Sequence, residues 1–254
     1  MDVLTLDLKG IILAFFLAGI MLYLSVFTIG GLTLGWFFVA SMVYFLALAA
    51  IATKTGMNYK RIIKQYQKAR GIKNVLANGL GPLIFVILVV TMGSSLTLVN
   101  AVVIGFISSV AAVTADKFSS EIGILDGHPR SIMTRKYVSK GVSGGITNVG
   151  LFAALIGAVC IALVLVIGYV LWIAPSMNSM PVGGICMGRC PILAASNPTV
   201  AMVLIVTFAG FLGSIIDSFL GYYEEKGIGN KYTSNFVCSV AGGLVGILLY
   251  LIFV

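Results

Sequence analysis

Seven apolar segments, each close to the length that crosses a lipid bilayer, limit what this chain can fold into more than any other feature. A transmembrane helix needs about 20 mostly apolar residues. In lipid, only helices and closed barrels satisfy every backbone polar group. The sequence therefore predicts an all-α, polytopic membrane helix bundle, formed as a single membrane-embedded domain over residues 1–254. The predicted spans are 10–29, 32–53, 77–93, 96–116, 145–172, 199–222 and 235–254.

The composition excludes a soluble globular protein. Of the 254 residues, 59% are hydrophobic and only 9% are charged, whereas soluble domains carry about 25% charged residues. So few charges cannot cover a water-facing surface of ordinary size. A lipid bilayer removes the need for such a surface because it replaces water as the solvent for apolar side chains.

The basic residues predict the orientation of the bundle. Of the 16 Lys and Arg residues, only Arg189 lies in the predicted external loop 173–198. The others precede the first span, lie at span ends or occupy the predicted cytosolic loops 54–76, 117–144 and 223–234. This bias predicts a cytosolic N-terminus in a cell membrane protein. The net charge of +8 then indicates topology and contact with anionic lipid rather than nucleic-acid binding.

Two segments outside the spans carry further patterns. Asn58 to Leu76 alternates basic and apolar residues at helical spacing, which predicts either an amphipathic helix in the headgroup layer or a basic loop that only sets orientation. Cys186 and Cys190 form a C-x3-C pair in the external loop, which favours a disulfide or two free thiols.

Acidic side chains are predicted to gather at the cytosolic ends of the spans. Asp116 ends the fourth span and Asp217 lies near the inner end of the sixth, so both carboxylates share one depth. An acid inside a span is costly and is therefore a functional candidate, and two such acids could hold Mg²⁺. Glu121 is either a third member of this group or an i,i+4 ion-pair partner of Lys117. The catalytic and metal-binding candidates are Asp116, Glu121 and Asp217.

Glycines and basic residues precede the fifth span. Gly144 and Gly145 stand before a predicted helix start, where backbone N–H groups and the helix dipole favour phosphate; close helix packing is the alternative. Basic side chains in the same loop either grip phosphate or only set topology. The candidate nucleotide- or phosphate-binding residues are Asn78, Lys117, Ser120, Arg130, Lys140, Gly144, Gly145, Thr147, Asn148 and Asn235.

Acids, glycine-rich helix starts and basic residues on the side that holds nucleoside triphosphates predict phosphoryl transfer to a substrate whose tail lies in the bilayer. The sequence contains no Walker A motif and no protein-kinase signature set. A phosphate site in this chain is therefore expected to be of another kind.

At these residues the chain resembles the membrane family that contains the plant phytyl-phosphate kinase and the animal transmembrane protein nineteen. Four stretches carry the resemblance: 74–79, 115–123, 129–130 with 141–150, and 213–221. It implies a kinase that converts a prenyl monophosphate, such as phytyl or geranylgeranyl phosphate, to the diphosphate. A distant link to CTP-using polyprenol kinases implies Mg²⁺ with CTP, or else ATP, as donor. The family's acids correspond to Asp116, Glu121 and Asp217, and its Gly-Gly-x-Thr to Gly144, Gly145 and Thr147.

Two alternatives stay open on the sequence. A polyprenol or lipid-alcohol kinase would use the same site with Glu121 as the general base. A membrane transporter would need polar residues near mid-membrane that connect both sides. The external halves of the predicted spans are almost purely apolar, which favours an enzyme over a transporter.

Overall fold

The computed structural model describes residues 5–28, 30–66, 69–92, 95–168 and 200–254. Within these ranges the chain forms helices joined by short connections and one very short β-hairpin. The predicted external loop 173–198, with Cys186 and Cys190, lies outside them. The helices are α1 (Leu8–Ser25), α2 (Gly31–Lys54), α3 (Met57–Ile62), α4 (Ile72–Thr91), α5 (Leu96–Gly123), α6 (Asn148–Gly168), α7 (Val200–Glu224) and α8 (Lys231–Phe253), and the strands are β1 (Arg130–Ser131) and β2 (Gly145–Ile146).

Seven of these helices are long and apolar enough to cross a membrane, and α3 is the exception. The protein is therefore an all-α, polytopic membrane protein, as the apolar segments predict. Its polar end is defined here as the end at which α2, α5 and α7 finish and α1, α4, α6 and α8 begin. Most of the charged residues of the described chain lie at this end.

Helix α5 occupies the centre of the bundle. It packs against α2, α4, α6, α7 and α8, and its residues 99–118 are all buried. Neighbouring helices shield it from lipid, so it can carry polar side chains that would be costly on a lipid-facing helix. Ser109 is one such polar residue, and its hydroxyl lies 2.7 Å from the hydroxyl of Ser239 in α8.

Small residues let α7 and α8 approach α5 closely. A Cβ added at Gly210 would lie 2.6 Å from the Ala111 Cβ, and one at Gly242 would lie 2.6 Å from the Ala112 Cβ. These separations are shorter than van der Waals contact, so only glycine fits at the crossings. Close backbone approach through small residues is a common way in which membrane helices associate.

The structure corrects several boundaries, including the start of the third span, which is Ile72 rather than residue 77. Span four was predicted to end at Asp116, but α5 continues for two further turns to Gly123. The fifth span begins at Asn148 rather than at residue 145, because Gly145 belongs to a strand. The amphipathic helix over 58–76 was wrong in extent: α3 ends at Ile62, and Lys64 has a left-handed φ of 57°. That conformation does not continue a right-handed helix.

Replacing Gly210 with alanine is expected to destabilise the bundle, because the new methyl group would overlap Ala111. Overpacking of this kind costs about 1–3 kcal/mol. Gly19→Ala is the matched control, since a Cβ at that position meets nothing within 4 Å. Thermal unfolding of the purified protein in detergent should show a lower midpoint for Gly210→Ala only. Equal midpoints for the two variants would contradict the close crossing of α5 and α7.

Candidate functional site

Two carboxyl groups from different helices meet at the polar end. Asp116 lies in α5 and Asp217 in α7, and their side chains line the same cavity close enough to interact electrostatically. The Oδ1 atom of Asp217 is buried and has no hydrogen-bond partner among the described residues. Two carboxylates this close repel each other unless a proton or a cation lies between them. The pair is therefore a candidate site either for a cation or for a shared proton.

A polar cavity of about 270 Å³ opens above this acid pair. Helices α5 and α7 form one side of it, and the segment between β1 and α6 forms the other. Basic side chains stand at its margin. The lining includes Asp116, Ser120, Asp217, Gly144, Gly145, Thr147, Lys64, Lys140 and Lys231.

Glycine contacts hold the loop before α6 against α7. Gly144 has a φ of +74°, and a Cβ there would lie 2.6 Å from the Tyr222 amide nitrogen. A Cβ at Gly221 would in turn lie 2.6 Å from the Gly144 nitrogen. The Ser143 N–H also donates to Glu225 at 2.9 Å. The loop backbone is thus fixed beside α7, one helical turn beyond Asp217.

The start of α6 also faces the cavity. Thr147 precedes this helix, and its hydroxyl accepts a hydrogen bond from the Gly150 N–H at 2.9 Å, which is the geometry of an N-cap. The Thr147 hydroxyl therefore serves as the N-cap of α6. Asn148 follows it and is exposed, outside the cavity lining.

The two basic residues predicted from the loop before α6, Lys140 and Arg130, lie in different places. Lys140 lines the cavity and donates to the Tyr59 hydroxyl at 2.5 Å, so it connects the loop to α3. Arg130 lies outside the lining, where it donates to the Tyr137 hydroxyl at 2.7 Å and stands over the Tyr137 ring. The structure thus places Lys140, and not Arg130, at the cavity.

Glu121 binds two basic residues that precede α4. Its Oε2 atom accepts from Lys60 at 2.9 Å and its Oε1 atom accepts from Arg70 at 2.5 Å. Lys60 also donates to the carbonyl oxygens of Ala52 and Thr53 at the end of α2, at 2.9 and 3.2 Å. All three ammonium donors of this nearly inaccessible lysine are therefore used.

This geometry bears on the prediction that Glu121 is a metal ligand. The side chain points toward α2 and residue 70, and its partners are Lys60 and Arg70 rather than Lys117. A metal ion would have to share this carboxylate with two cations that repel it. Within the described residues, no three Asp, Glu, His or Cys side chains are grouped closely enough to hold a metal by themselves.

Three predicted residues lie beneath the cavity rather than in its lining. Asn235 in α8 donates to the Asn78 side chain in α4 at 3.1 Å, and both are buried. Lys117 is only 2% exposed and lies among Arg70, Lys231, Asp116 and Glu121. The Asn78–Asn235 pair joins α4 to α8, and Lys117 lies next to the acid pair.

The sequence interpretation did not name Lys60, Arg70, Lys64 or Lys231 as site residues, because it read basic residues in the loops as signals of topology or of an amphipathic helix. One of them had a detectable signal. Lys231 occupies the first turn of α8, where the helix dipole disfavours a cation. A charge that opposes the helix dipole in this way often marks a functional position.

Comparison with known proteins identifies the family. The profile described as integral membrane protein DUF92 matches residues 2–243. The chain belongs to this family. The match covers all four stretches that carried the resemblance in the sequence, so that prediction is confirmed.

Two relatives are similar over most of the chain. An uncharacterized membrane protein of Methanocaldococcus jannaschii, MJ0933, is 33% identical over 247 residues, which cover 96% of this chain and 86% of the relative. Protein PGR of Arabidopsis thaliana is 31% identical over 205 residues, which cover 74% of this chain and 65% of the plant protein. No solved structure matches the chain.

The Lys60–Glu121 ion pair is expected to be important for stability. Lys60→Met leaves the half-buried Glu121 carboxylate bound to Arg70 but without its second cation, and it frees the carbonyl groups at the end of α2. Because Arg70 still compensates the carboxylate, we expect a loss of about 1–3 kcal/mol, the cost of leaving buried polar groups unpaired. Lys54→Met is the matched control, because Lys54 is an exposed lysine at the end of α2, the helix whose last carbonyl groups Lys60 binds. Thermal unfolding in detergent should show a lower midpoint for Lys60→Met than for Lys54→Met. The same midpoint in both would show that the buried pair does not stabilise this end of the bundle.

Proposed function

We propose that this protein is a nucleotide-dependent prenyl-phosphate kinase that converts a prenyl monophosphate to its diphosphate at the cytosolic face of the membrane. The observation that carries the proposal is the Asp116–Asp217 pair beneath a backbone loop that Gly144 holds in place. An acid pair suits a divalent cation, and a glycine-rich helix start suits phosphate. The relation to protein PGR is compatible with the proposal, although that name states no activity.

The residues fit Mg²⁺. This ion is usually bound by one or two carboxylates, with water and substrate phosphates as the other ligands. Asp116 and Asp217 supply two carboxylates, and the unpartnered Oδ1 of Asp217 is a free acceptor in a buried position. Bound there, Mg²⁺ would neutralise charge on the phosphates of a nucleoside triphosphate, CTP or ATP.

The chain's own residues would position the two phosphate groups. The backbone at Gly144 and Gly145 and the first turn of α6 would hold the donor phosphates, while Lys64, Lys140 and Lys231 would offset their charge. An oxygen of the prenyl phosphate bonds to the γ-phosphorus of the donor. The bond from that phosphorus to the bridging oxygen breaks, and the nucleoside diphosphate leaves with the electron pair. The acceptor is already an anion, so the reaction needs no strong base.

Glu121 has a positioning role in this proposal. Its ion pairs with Lys60 and Arg70 hold α3 and residue 70 against α5. Lys140 is joined to the same region through Tyr59 in α3. Loss of Glu121 is therefore expected to act through the placement of these basic residues.

The acid pair provides the first test of function. Purified protein incubated with geranylgeranyl or phytyl phosphate, Mg²⁺ and CTP or ATP should form the prenyl diphosphate. Asp217→Asn is expected to lower kcat/KM by about a hundredfold or more, as loss of a group that acts on transition-state charge does. Asp7→Asn is the control, since Asp7 lies outside the cavity lining and asparagine also caps a helix well.

The same assay separates the alternatives. Absence of diphosphate with either nucleotide would overturn the proposal. Product from the free prenyl alcohol alone would instead indicate a lipid-alcohol kinase. Nucleotide-independent flux of prenyl phosphate into liposomes would indicate a transporter.

Gly144 provides a second test, directed at the nucleotide. Gly144→Ala requires a strained left-handed alanine and overlap with the Tyr222 backbone, so the loop must move away from α7. We expect kcat/KM for the nucleotide to fall about tenfold to a hundredfold, because small displacements of positioning groups are costly. Gly127→Ala is the matched control in the same connection, where a Cβ meets nothing within 4 Å. An equal effect of both substitutions on kcat/KM would contradict the assignment of this loop to the phosphate site.

A further inference from the structure

A second, apolar chamber lies between α1, α2 and α4, and the proposed site does not use it. Its volume is about 520 Å³. The lining is almost entirely hydrocarbon side chains, and its polar members, Thr5, Arg70, Asn74 and Asn78, are all at the polar end of the bundle. The chamber is therefore apolar along its length and polar only at its base.

Small residues on α1 leave the chamber open. Ala14, Ala18 and Gly19 face it, and a Cβ at Gly19 would meet nothing within 4 Å. Exposed Phe15 and Trp36 stand at its edge. Apolar cavities stay dry because water finds too few polar partners in them. In a bilayer, a space of this kind suits a hydrocarbon chain that enters from the side.

One layer of side chains separates the base of the chamber from the polar cavity. Arg70 lines the chamber and binds Glu121, which lines the polar cavity. Asn78 lines the chamber and accepts from Asn235, one turn after Lys231 of the polar cavity. These side chains thus form a polar layer between the base of the chamber and the polar cavity.

The base also offers an unused donor. Arg70 is 4% exposed, and its Nε atom is buried with no hydrogen-bond partner in the described part of the chain. A guanidinium group binds phosphate through several N–H groups. An anionic head group attached to the occupant of the chamber would give this donor a partner.

We propose that the α1–α2–α4 chamber holds the isoprenoid tail of the acceptor, with its phosphate directed toward Arg70, an inference that rests on the proposed kinase function. A methylene group is similar in size to a water molecule, which occupies about 30 Å³, so the chamber has room for on the order of 15 to 20 carbon atoms. That capacity matches farnesyl to geranylgeranyl chains. The chamber would therefore set the chain length that the enzyme prefers.

A substitution inside the chamber tests this selection. Gly19 lies about 12 Å along α1 from Ile11 at 1.5 Å per residue, so Gly19→Phe would obstruct the far part of the chamber and leave its base open. We expect kcat/KM for geranylgeranyl phosphate to fall at least about tenfold, and that for geranyl phosphate, whose chain is half as long, to stay within about twofold. Ile12→Phe is the control, since Ile12 is exposed on the same helix outside the lining. An equal effect of Gly19→Phe on both substrates would overturn the inference.

Photolabelling tests the chamber without turnover. A geranylgeranyl phosphate analogue with a diazirine at the chain end should label α1 or α2 near Met21, Leu22 or Trp36 in the wild-type protein. Unlabelled geranylgeranyl phosphate should compete with it, and phosphatidic acid should not. Labelling elsewhere, or equal competition by phosphatidic acid, would overturn the assignment. Labelling in the chamber without any diphosphate product would instead count against the proposed kinase function alone.

Discussion

The polar end of this bundle depends on the two ion pairs of Glu121. Its carboxylate binds Lys60 and Arg70 at 2.9 and 2.5 Å, and Lys60 also binds the last carbonyl groups of α2. The Arg70 backbone exchanges hydrogen bonds with Thr5 and Asp7 just before α1. One carboxylate therefore joins the central helix to the ends of its neighbours. Lys60 and Arg70 are buried and Glu121 is half-buried, and their pairing offsets the cost of removing the two cations from water.

The ion pairs and the glycine contacts position different halves of the proposed site. Gly144 and Gly221 bring the loop before α6 onto α7, next to Asp217. Glu121 holds α3, and through Tyr59 and Lys140 the opposite edge of the same loop. The acid pair lies between these two supports, with Asp116 on α5, the most buried of the described helices, and Asp217 on α7. Groups held in this way need little rearrangement when a charged ligand arrives, which is the basis of electrostatic preorganisation.

The sequence interpretation predicted some site features and missed others for physical reasons. Asp116 and Asp217 were predicted to share one depth, because acids inside apolar spans are rare and the alternation of the spans sets their depth. The structure brings them together. Lys60 and Arg70 were read as signals of topology or of an amphipathic helix, because positive-inside charge and an internal ion pair use the same residue types in the same loop. Lys60 is 61 residues and Arg70 51 residues from Glu121 along the chain, so no local pattern connects them.

By itself, the sequence determined the seven spans, their approximate ends, the end of the bundle that carries most of the charge, and the family motifs. These follow from length, hydropathy and local order along the chain. Only the tertiary structure decided that Glu121 faces Lys60 and Arg70 rather than Lys117, that Thr147 caps α6, and that α1, α2 and α4 leave an apolar chamber beside the polar layer. Hydropathy does not predict these features, because they depend on which helix faces pack together. A helix that is apolar all round has almost no periodic pattern from which its packed face could be recognised.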